Sequence, residues 1–366
     1  MKAYARKQLR SLQSALDTAM RIKRLFSQFD MRVLEFYSGI GGMHCALNEL
    51  NTKELEVVAA FEINTTANAV YSYNFPDTSL LQRNILSLTV GELDDLKADL
   101  WVGKRLDVED ARTDSFLHLL KLLPQLSHPP KFFLLENVKG FEESLARQTL
   151  IDSLQKLNYD FREFLLSPLD IGIPNSRLRY YLLGRLNADF EFGDCQQIER
   201  VFPPACVSLH ESDHAPCLEH FLEPKSASLD PFLIPDKLLA KHSEVLDIVT
   251  PKSTRSCCFT KAYGHYLKGA GSVIHSNTEN LDEIYARSRT ESDPDTKLLL
   301  LRRLELRFFT PREICRIMGF PDSFDFPSTI SIRQRYQLLG NSISVKVVSR
   351  LLRILIADQE FVSPHQ

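Results

Sequence analysis

The sequence predicts an α/β fold built on a parallel sheet covered on both faces, and three observations carry that expectation. From Met31 onward, short apolar strands alternate with helical stretches. A glycine-rich turn, Ser38-Gly39-Ile40-Gly41-Gly42, separates the first strand from the first helix. An acidic residue, Glu62, closes the second strand 20 residues after Gly42.

The elements follow in order. Residues 32–37 form a short apolar strand, and the glycine turn opens a helix that runs to Leu50. Residues 57–61 read as a buried strand and 65–74 as the next helix. Ala98-Asp99-Leu100-Trp101-Val102 is the fourth strand, followed by a helix over 113–123. Residues 131–135 form the fifth strand, ending on Glu136-Asn137. A helix over 143–157 and strands near 161–166 and 179–183 complete the series. Regular structure resumes where Thr310 caps a helix with Pro311 at its first position. The last helix, 343–356, is apolar over an arc wide enough to pack on a sheet.

Composition excludes other classes. The chain has 366 residues, 44% hydrophobic and 25% charged, with a net charge of −3, which rules out a disordered chain or a small disulfide scaffold. No apolar run approaches the ~18–20 residues of a membrane span. Seven irregularly spaced cysteines suggest reduced thiols in an intracellular compartment. The charge is uneven: residues 1–30 hold seven basic side chains against Asp17 and Asp30, leaving the rest at −8. Residues 3–29 read as one amphipathic helix, either a mitochondrial presequence or an appended segment before a start at Met31. Residues 190–290 are richer in Pro, Ser, His and Cys and have weak periodicity, as an inserted recognition region would.

Two places carry candidate chemistry. Glycines at a strand-to-helix turn let the backbone approach a ligand, and Glu62 can accept hydrogen bonds from ribose hydroxyls. This favours a nucleoside cofactor, without separating a dinucleotide from S-adenosylmethionine. Glu136 stands at the carboxyl end of a buried strand, where open α/β sheets bind ligands. An apolar setting there would hold it protonated or hydrogen-bonded to a base, whereas the plain alternative is a solvated strand-end acid.

In combination these motifs resemble a known family. Phe36-Tyr37-Ser38-Gly39-Ile40-Gly41-Gly42-Met43-His44, Glu62-Ile63-Asn64, Glu136-Asn137-Val138-Lys139-Gly140-Phe141, Ile173-Pro174-Asn175-Ser176-Arg177-Leu178-Arg179-Tyr180 and Leu339-Gly340-Asn341-Ser342 look like the ordered motifs of cytosine carbon-5 methyltransferases. Cys258-Phe259-Thr260 and Lys261-Ala262-Tyr263-Gly264 resemble the branch that is similar to DNA methyltransferases yet methylates aspartate tRNA. The resemblance covers residues 31–357 and is collinear.

The resemblance implies a Rossmann-like methyltransferase fold with a small target-recognition insertion, S-adenosylmethionine as donor, and cytosine 38 of aspartate tRNA as target. It divides the chain into a basic extension (1–30), a methyltransferase domain (31–187 and 308–357), a recognition region (188–307) and a tail (358–366). Ile40, Gly41 and Gly42 would line the donor's methionine portion and Glu62 would hold the ribose, with Phe36, Ser38, Gly39 and Ile63 as further donor-binding residues. Ile85 and Leu86 would flank the adenine, and Asn341 with Ser342 would close the pocket. Glu136 would contact the target cytosine, with Arg177 and Arg179 near the base or its phosphate. Lys252, Arg255, Cys258, Phe259, Thr260 and Lys261 are the expected RNA-contacting residues, cations interleaved with aromatics. Aspartate tRNA is the expected partner, DNA a weaker one; the chain is expected to be a cytoplasmic, also nuclear, monomer without membrane attachment.

One part of the pattern is missing. The family carries its nucleophile in a Pro-Pro-Cys-Gln loop after the fourth strand, where a thiolate adds to carbon-6 of cytosine and activates carbon-5. Here Val102 leads into Gly103-Lys104-Arg105, which resembles the segment beyond that loop, so roughly ten residues with the cysteine and a donor-contacting serine are absent. The gap is clean, as a skipped or mis-joined exon would leave it. None of the seven cysteines follows a strand in a Pro-containing loop, and the chain is expected not to methylate cytosine. Three readings stay open: an active enzyme represented by a sequence lacking the loop, a catalytically dead donor- or RNA-binding protein, and a DNA methyltransferase.

Two further patterns are weaker. Cys206, His210, His214 and Cys217, with His220 beyond, have nearly metal-like spacing in a Pro- and Ser-rich segment, where a metal-free loop is the expectation. Arg302, Arg303 and Arg307 read either as an RNA contact or as a solvated helical face.

Overall fold

In the computed structural model, which describes residues 31–51, 55–104, 112–194, 197–203, 216–224, 228–275 and 280–357, β1 (Met31–Phe36) starts the central sheet. Its side chains alternate between two buried faces, Val33 on one and Leu34 on the other, so the strand reads as continuously apolar. The expected N-terminal helix and the tail 358–366 lie outside the described residues.

The sheet has eight strands in the order β3-β2-β1-β4-β5-β7-β6-β8. They are β2 (Leu55–Phe61), β3 (Leu80–Leu81), β4 (Leu100–Lys104), β5 (Phe132–Val138), β6 (Tyr159–Leu166), β7 (Arg179–Leu186) and β8 (Ile198–Glu199). β3, β2, β1, β4 and β5 run parallel. The expectation of an all-parallel sheet fails at β7, which is antiparallel to both β5 and β6. The cause is local: β6 and β7 are joined by a segment holding only one short turn of helix, Pro168–Ile171, with no helix long enough for a crossover.

Helices cover both faces. On one lie α1 (Gly42–Asn48) and α11 (Val345–Ile356), whose Met43, Leu47, Val348 and Leu352 share a core with Val33, Val102, Leu134 and Leu183. On the other lie α3 (Val90–Leu96), α4 (Arg112–Leu122) and α5 (Leu145–Lys156), packed on Leu34, Trp101, Leu135 and Leu182. α2 (Thr65–Asn74) is capped by Asn64, whose side chain accepts from the backbone N–H of Thr66 and Ala67.

Residues 228–309 add α6 (Asp236–His242), α7 (Leu281–Thr290), α8 (Pro294–Arg303) and a two-stranded ladder, β9 (Ile248–Val249) with β10 (Val273–Ile274). Their apolar side chains, Leu239, Val249, Ile274 and Leu301 among them, join the core on the α1–α11 face. α9 (Pro311–Met318) opens as expected, with a reciprocal Thr310–Glu313 capping box and proline in the first turn. α10 (Ile332–Gly340) delivers the chain to Asn341 and Ser342.

β4 differs from the sequence expectation in a way that matters for the site. It does not stop at Val102 but continues through Gly103 to Lys104. Leu100 and Val102 face the α1–α11 side, and strand alternation puts Lys104 on that face too. Its register partner on β5 is Glu136, two residues beyond Leu134 on the same face.

Candidate active site

A cavity of about 400 Å³ opens at the carboxyl ends of β1, β2 and β4. Ser38, Gly39, Ile40, Gly42, Glu62, Ile63, Asn341 and Ser342 line it, together with Tyr37, Met43, Asn64 and Lys104. The β1–α1 turn is tight, with Tyr37, Gly39 and Gly41 all in the left-handed region. Gly42 has a second requirement: a Cβ there would stand 2.7 Å from Ile343 and 3.1 Å from the Ser342 hydroxyl. Only glycine lets the 341–343 loop close on the start of α1.

Glu62 organises the rim. One carboxylate oxygen accepts from Gly39 N–H at 3.0 Å, and the other accepts from Ile63 and Asn64 N–H at 2.9 Å each. A carboxylate has about four acceptor positions, so capacity remains for a ligand hydroxyl. The buried Ser38 hydroxyl has no hydrogen-bond partner among the described residues. Apolar Ile40, Met43 and Ile343 form the rest of the wall. A cavity of this volume with a ribose acceptor at its rim and convergent small polar groups fits a nucleoside-bearing donor such as S-adenosylmethionine.

Four residues expected at this pocket are placed elsewhere. Phe36 is in the core behind it, stacked on Phe61 with ring centroids 5.2 Å apart. Gly41 is not part of the wall; it lies under the Phe75 ring, 2.2 Å from where its Cβ would be. Ile85 is buried in the core and Leu86 is exposed, so neither flanks the cavity. Ile63, 61% exposed, is the apolar side chain available at the rim.

Beside the cavity stands the base-side cluster. Glu136 is fully buried, within β5 rather than after it, and its Oε1 lies 3.6 Å from Arg179 Nε. Its setting is charged, not apolar. Arg177 is 3% exposed, and its guanidinium is already committed. It donates to the carbonyls of Phe259 (3.3 Å), Gly340 (3.4 Å) and Ser342 and approaches the Cys258 sulfur at 3.2 Å. Arg177 therefore braces three segments, whereas Arg179 is the arginine that pairs with Glu136.

Lys104 is the residue that sequence reasoning missed. It is 8% exposed, lines the cavity, and its Nζ has no hydrogen-bond partner among the described residues. Burial pulls its amine down to about 7, opposed by the nearby carboxylate of Glu136. The period-2 pattern Leu100, Val102, Lys104 was the available signal.

The expected RNA-contacting segment divides. Phe259 is 2% exposed and packs edge-on against Tyr263 and Phe309, so neither Phe259 nor Tyr263 presents a face to a base. Lys252 pairs with Glu219, and Arg255 with Asp247 at 2.9 Å. Lys261 is exposed, while Thr260 and Lys261 press their backbone on Gly340, where a Cβ would stand 2.2 Å from Lys261 N. Arg302 pairs with Asp236 at the surface, and Arg307 is buried against Glu313 at 2.8 Å, so that cluster is not one basic face. Of the metal-like residues, Cys206, His210 and His214 lie outside the described residues; Cys217 Sγ is 3.6 Å from His220 Nδ1.

Two buried thiols, Cys45 and Cys315, are poor nucleophiles where they sit. Burial pushes the Cys45 thiol well up and that of Cys315 up to about 12. Cys258 lies against the two arginines, 3.7 Å from Arg179 Nη2.

Comparison with known proteins agrees with this geometry. Residues 31–357 match the profile of the C-5 cytosine-specific DNA methylase family. A Bos taurus tRNA (cytosine(38)-C(5))-methyltransferase is 39% identical over 394 aligned positions, covering 89% of this chain and 99% of that protein. A Spodoptera frugiperda protein of the same name is 43% identical, covering 88% and 98%. The crystal structure of a Spodoptera frugiperda DNMT2 variant superposes with a TM-score of 0.81 at 41% identity, covering 89% of this chain and 99% of that one. The mixed sheet, the glycine turn closed by Ser342, and the match over 31–357 place this chain in the C-5 cytosine methyltransferase family, whose methyl donor is S-adenosylmethionine.

Proposed function

We propose that this chain, like relatives named tRNA (cytosine(38)-C(5))-methyltransferases, binds S-adenosylmethionine and a tRNA, that this tRNA is the aspartate one, and that the chain does not itself methylate the cytosine. One observation carries this: β4 runs straight to Lys104 beside Glu136, and the sequence has no cysteine between Cys45 and Cys195. When bound, the donor supplies an electrophilic methyl group. Glu62 holds the ribose side, and the 341–343 loop closes the cavity. Glu136, oriented by Arg179, accepts a hydrogen bond from a flipped base, as enzymes acting on bases require. Without a thiolate to break the ring's aromaticity, carbon-5 stays a weak nucleophile.

Residues 188–307 supply target recognition in this reading, with Lys261 and the rim of the base-side cluster facing the RNA. The net charge gives no general affinity for nucleic acid, so local contacts must carry it. Calorimetry with S-adenosylhomocysteine, followed by competition of aspartate tRNA against a DNA duplex, tests the proposal. Binding of the nucleoside with preference for the tRNA supports it. Preference for duplex DNA favours the DNA reading, and no nucleoside binding overturns the donor assignment.

A further inference from the structure

Lys104 is left unexplained by the family reaction. A buried amine with no partner is costly, and a strand end at a ligand cavity is where such a cost is retained for chemistry. Lys104 is the lysine of the cavity wall; the wall also carries the hydroxyls of Tyr37, Ser38, Thr65 and Ser342 and the Glu62 carboxylate, whose oxygens already accept from three backbone N–H groups. It stands beside Glu136 in register, on the sheet face that carries the base-side cluster. The charges around it are Glu136 and Glu62, opposed by Arg177 and Arg179.

We propose that Lys104 is a self-methylation site, its Nζ taking the methyl group that the missing loop would have directed to cytosine. The inference rests on the donor-binding reading above. The amine lone pair forms the new N–C bond while the C–S bond of the sulfonium breaks, its electron pair staying on sulfur. The products are N-methyl-lysine and S-adenosylhomocysteine, and the proton lost from nitrogen passes to Glu136 or water. No further reactant is needed. Burial holds the amine near neutrality at about 7, so an appreciable neutral fraction exists at physiological pH. The methyl group stays on the chain's own side chain, so the step modifies one residue per chain rather than turning over catalytically.

The test uses the full chain, with S-adenosylmethionine and no RNA, followed by peptide mass spectrometry. Methyl increments confined to Lys104, absent from Lys104→Arg, are the expected result. The rate per chain is expected to be independent of protein concentration, since the amine and the cavity belong to one molecule. A second readout needs no methyl transfer. Acetic anhydride at neutral pH should label Lys104 ahead of the exposed Lys252, and S-adenosylhomocysteine should suppress Lys104 labelling about tenfold or more. Calorimetry of S-adenosylhomocysteine on both proteins separates the two ideas. If both bind it and Lys104 stays unmethylated, self-methylation is wrong and donor binding stands. Methyl incorporation that persists in Lys104→Arg also overturns it. If neither binds the nucleoside, both readings fall.

Discussion

Arg177, just before β7, donates a hydrogen bond to the carbonyl oxygen of Ser342, on the far wall of the donor cavity. The same guanidinium reaches Phe259 and Gly340, so one buried cation fixes the base side relative to the donor side. Its rigid planar fork presents donors on separate nitrogens to several acceptors at once, whereas an ammonium group gathers its three donors on one nitrogen at the end of a flexible stem.

Replacement of Arg177 by lysine should therefore destabilise the fold by about 2–4 kcal/mol, read by urea denaturation. Affinity for S-adenosylhomocysteine should fall several-fold, because the 341–343 loop loses its brace. A variant with unchanged stability would show that these carbonyl contacts are dispensable.

Gly340 makes the closest backbone approach at the site. A Cβ there would stand 2.2 Å from the Thr260 carbonyl carbon. Gly340→Ala must push the 258–261 segment away or unwind the end of α10. The expected cost is about 2–4 kcal/mol, with loss of tRNA binding exceeding loss of nucleoside binding. Equal losses would remove the distinction between the two sides of the site.

A triad under the glycine turn, with Glu35 and Tyr71 buried and His44 half-buried, sets a pH dependence. Tyr71 donates to Glu35 at 2.8 Å and meets His44 Nδ1 at 2.9 Å. Burial raises the Glu35 carboxyl to about 8 and lowers His44 to about 4. Between about 4.5 and 8 the folded chain keeps a Glu35 proton that the unfolded chain releases, so this group's contribution falls as pH rises. His44 acts oppositely, its contribution being lost as pH falls from 6.5 through 4. Glu35→Gln keeps the acceptor for Tyr71 and removes the titration. Relative to the unsubstituted chain, it should gain stability between pH 6 and pH 9 in thermal melts. A flat difference across that range would contradict the assignment.

Lys104 gives the complementary slope. Its amine is held at about 7 against 10.5 in the unfolded chain, so the unfolded state binds the extra proton between those values. The resulting destabilisation is complete below pH 7 and fades as pH rises toward 10.5. Lys104→Met should thus stabilise the chain by a few kcal/mol at pH 6, less at pH 9, partly offset by the lost attraction to Glu136. Destabilisation at pH 6 would show that the Lys104–Glu136 attraction outweighs the burial cost.

Much of this architecture was legible from periodicity and turn chemistry. α2 was expected over the residues where it forms, and the Thr310 cap was read from residue types alone, because both signals are local. The antiparallel β7 was not legible, since strand direction depends on how β6 and β7 connect. Among site residues, Ser38, Gly39, Ile40 and Gly42 of the glycine turn and Asn341 with Ser342 reach one cavity. Ile85 and Phe259 were misplaced because an apolar side chain looks the same in a pocket wall and in the core until packing is known. Arg177 read as a base contact because sequence shows its charge but not the carbonyls that consume it. Lys104 was hidden by the expectation that the strand ended at Val102.

The most direct measurement is transfer of radiolabelled methyl from S-adenosylmethionine to aspartate tRNA by the full chain, with tRNA and protein separated before counting. The expected result is no label in the tRNA under conditions where S-adenosylhomocysteine binds. Label recovered in the tRNA at cytosine 38 would contradict the account, and would show that another residue of this chain replaces the missing thiolate.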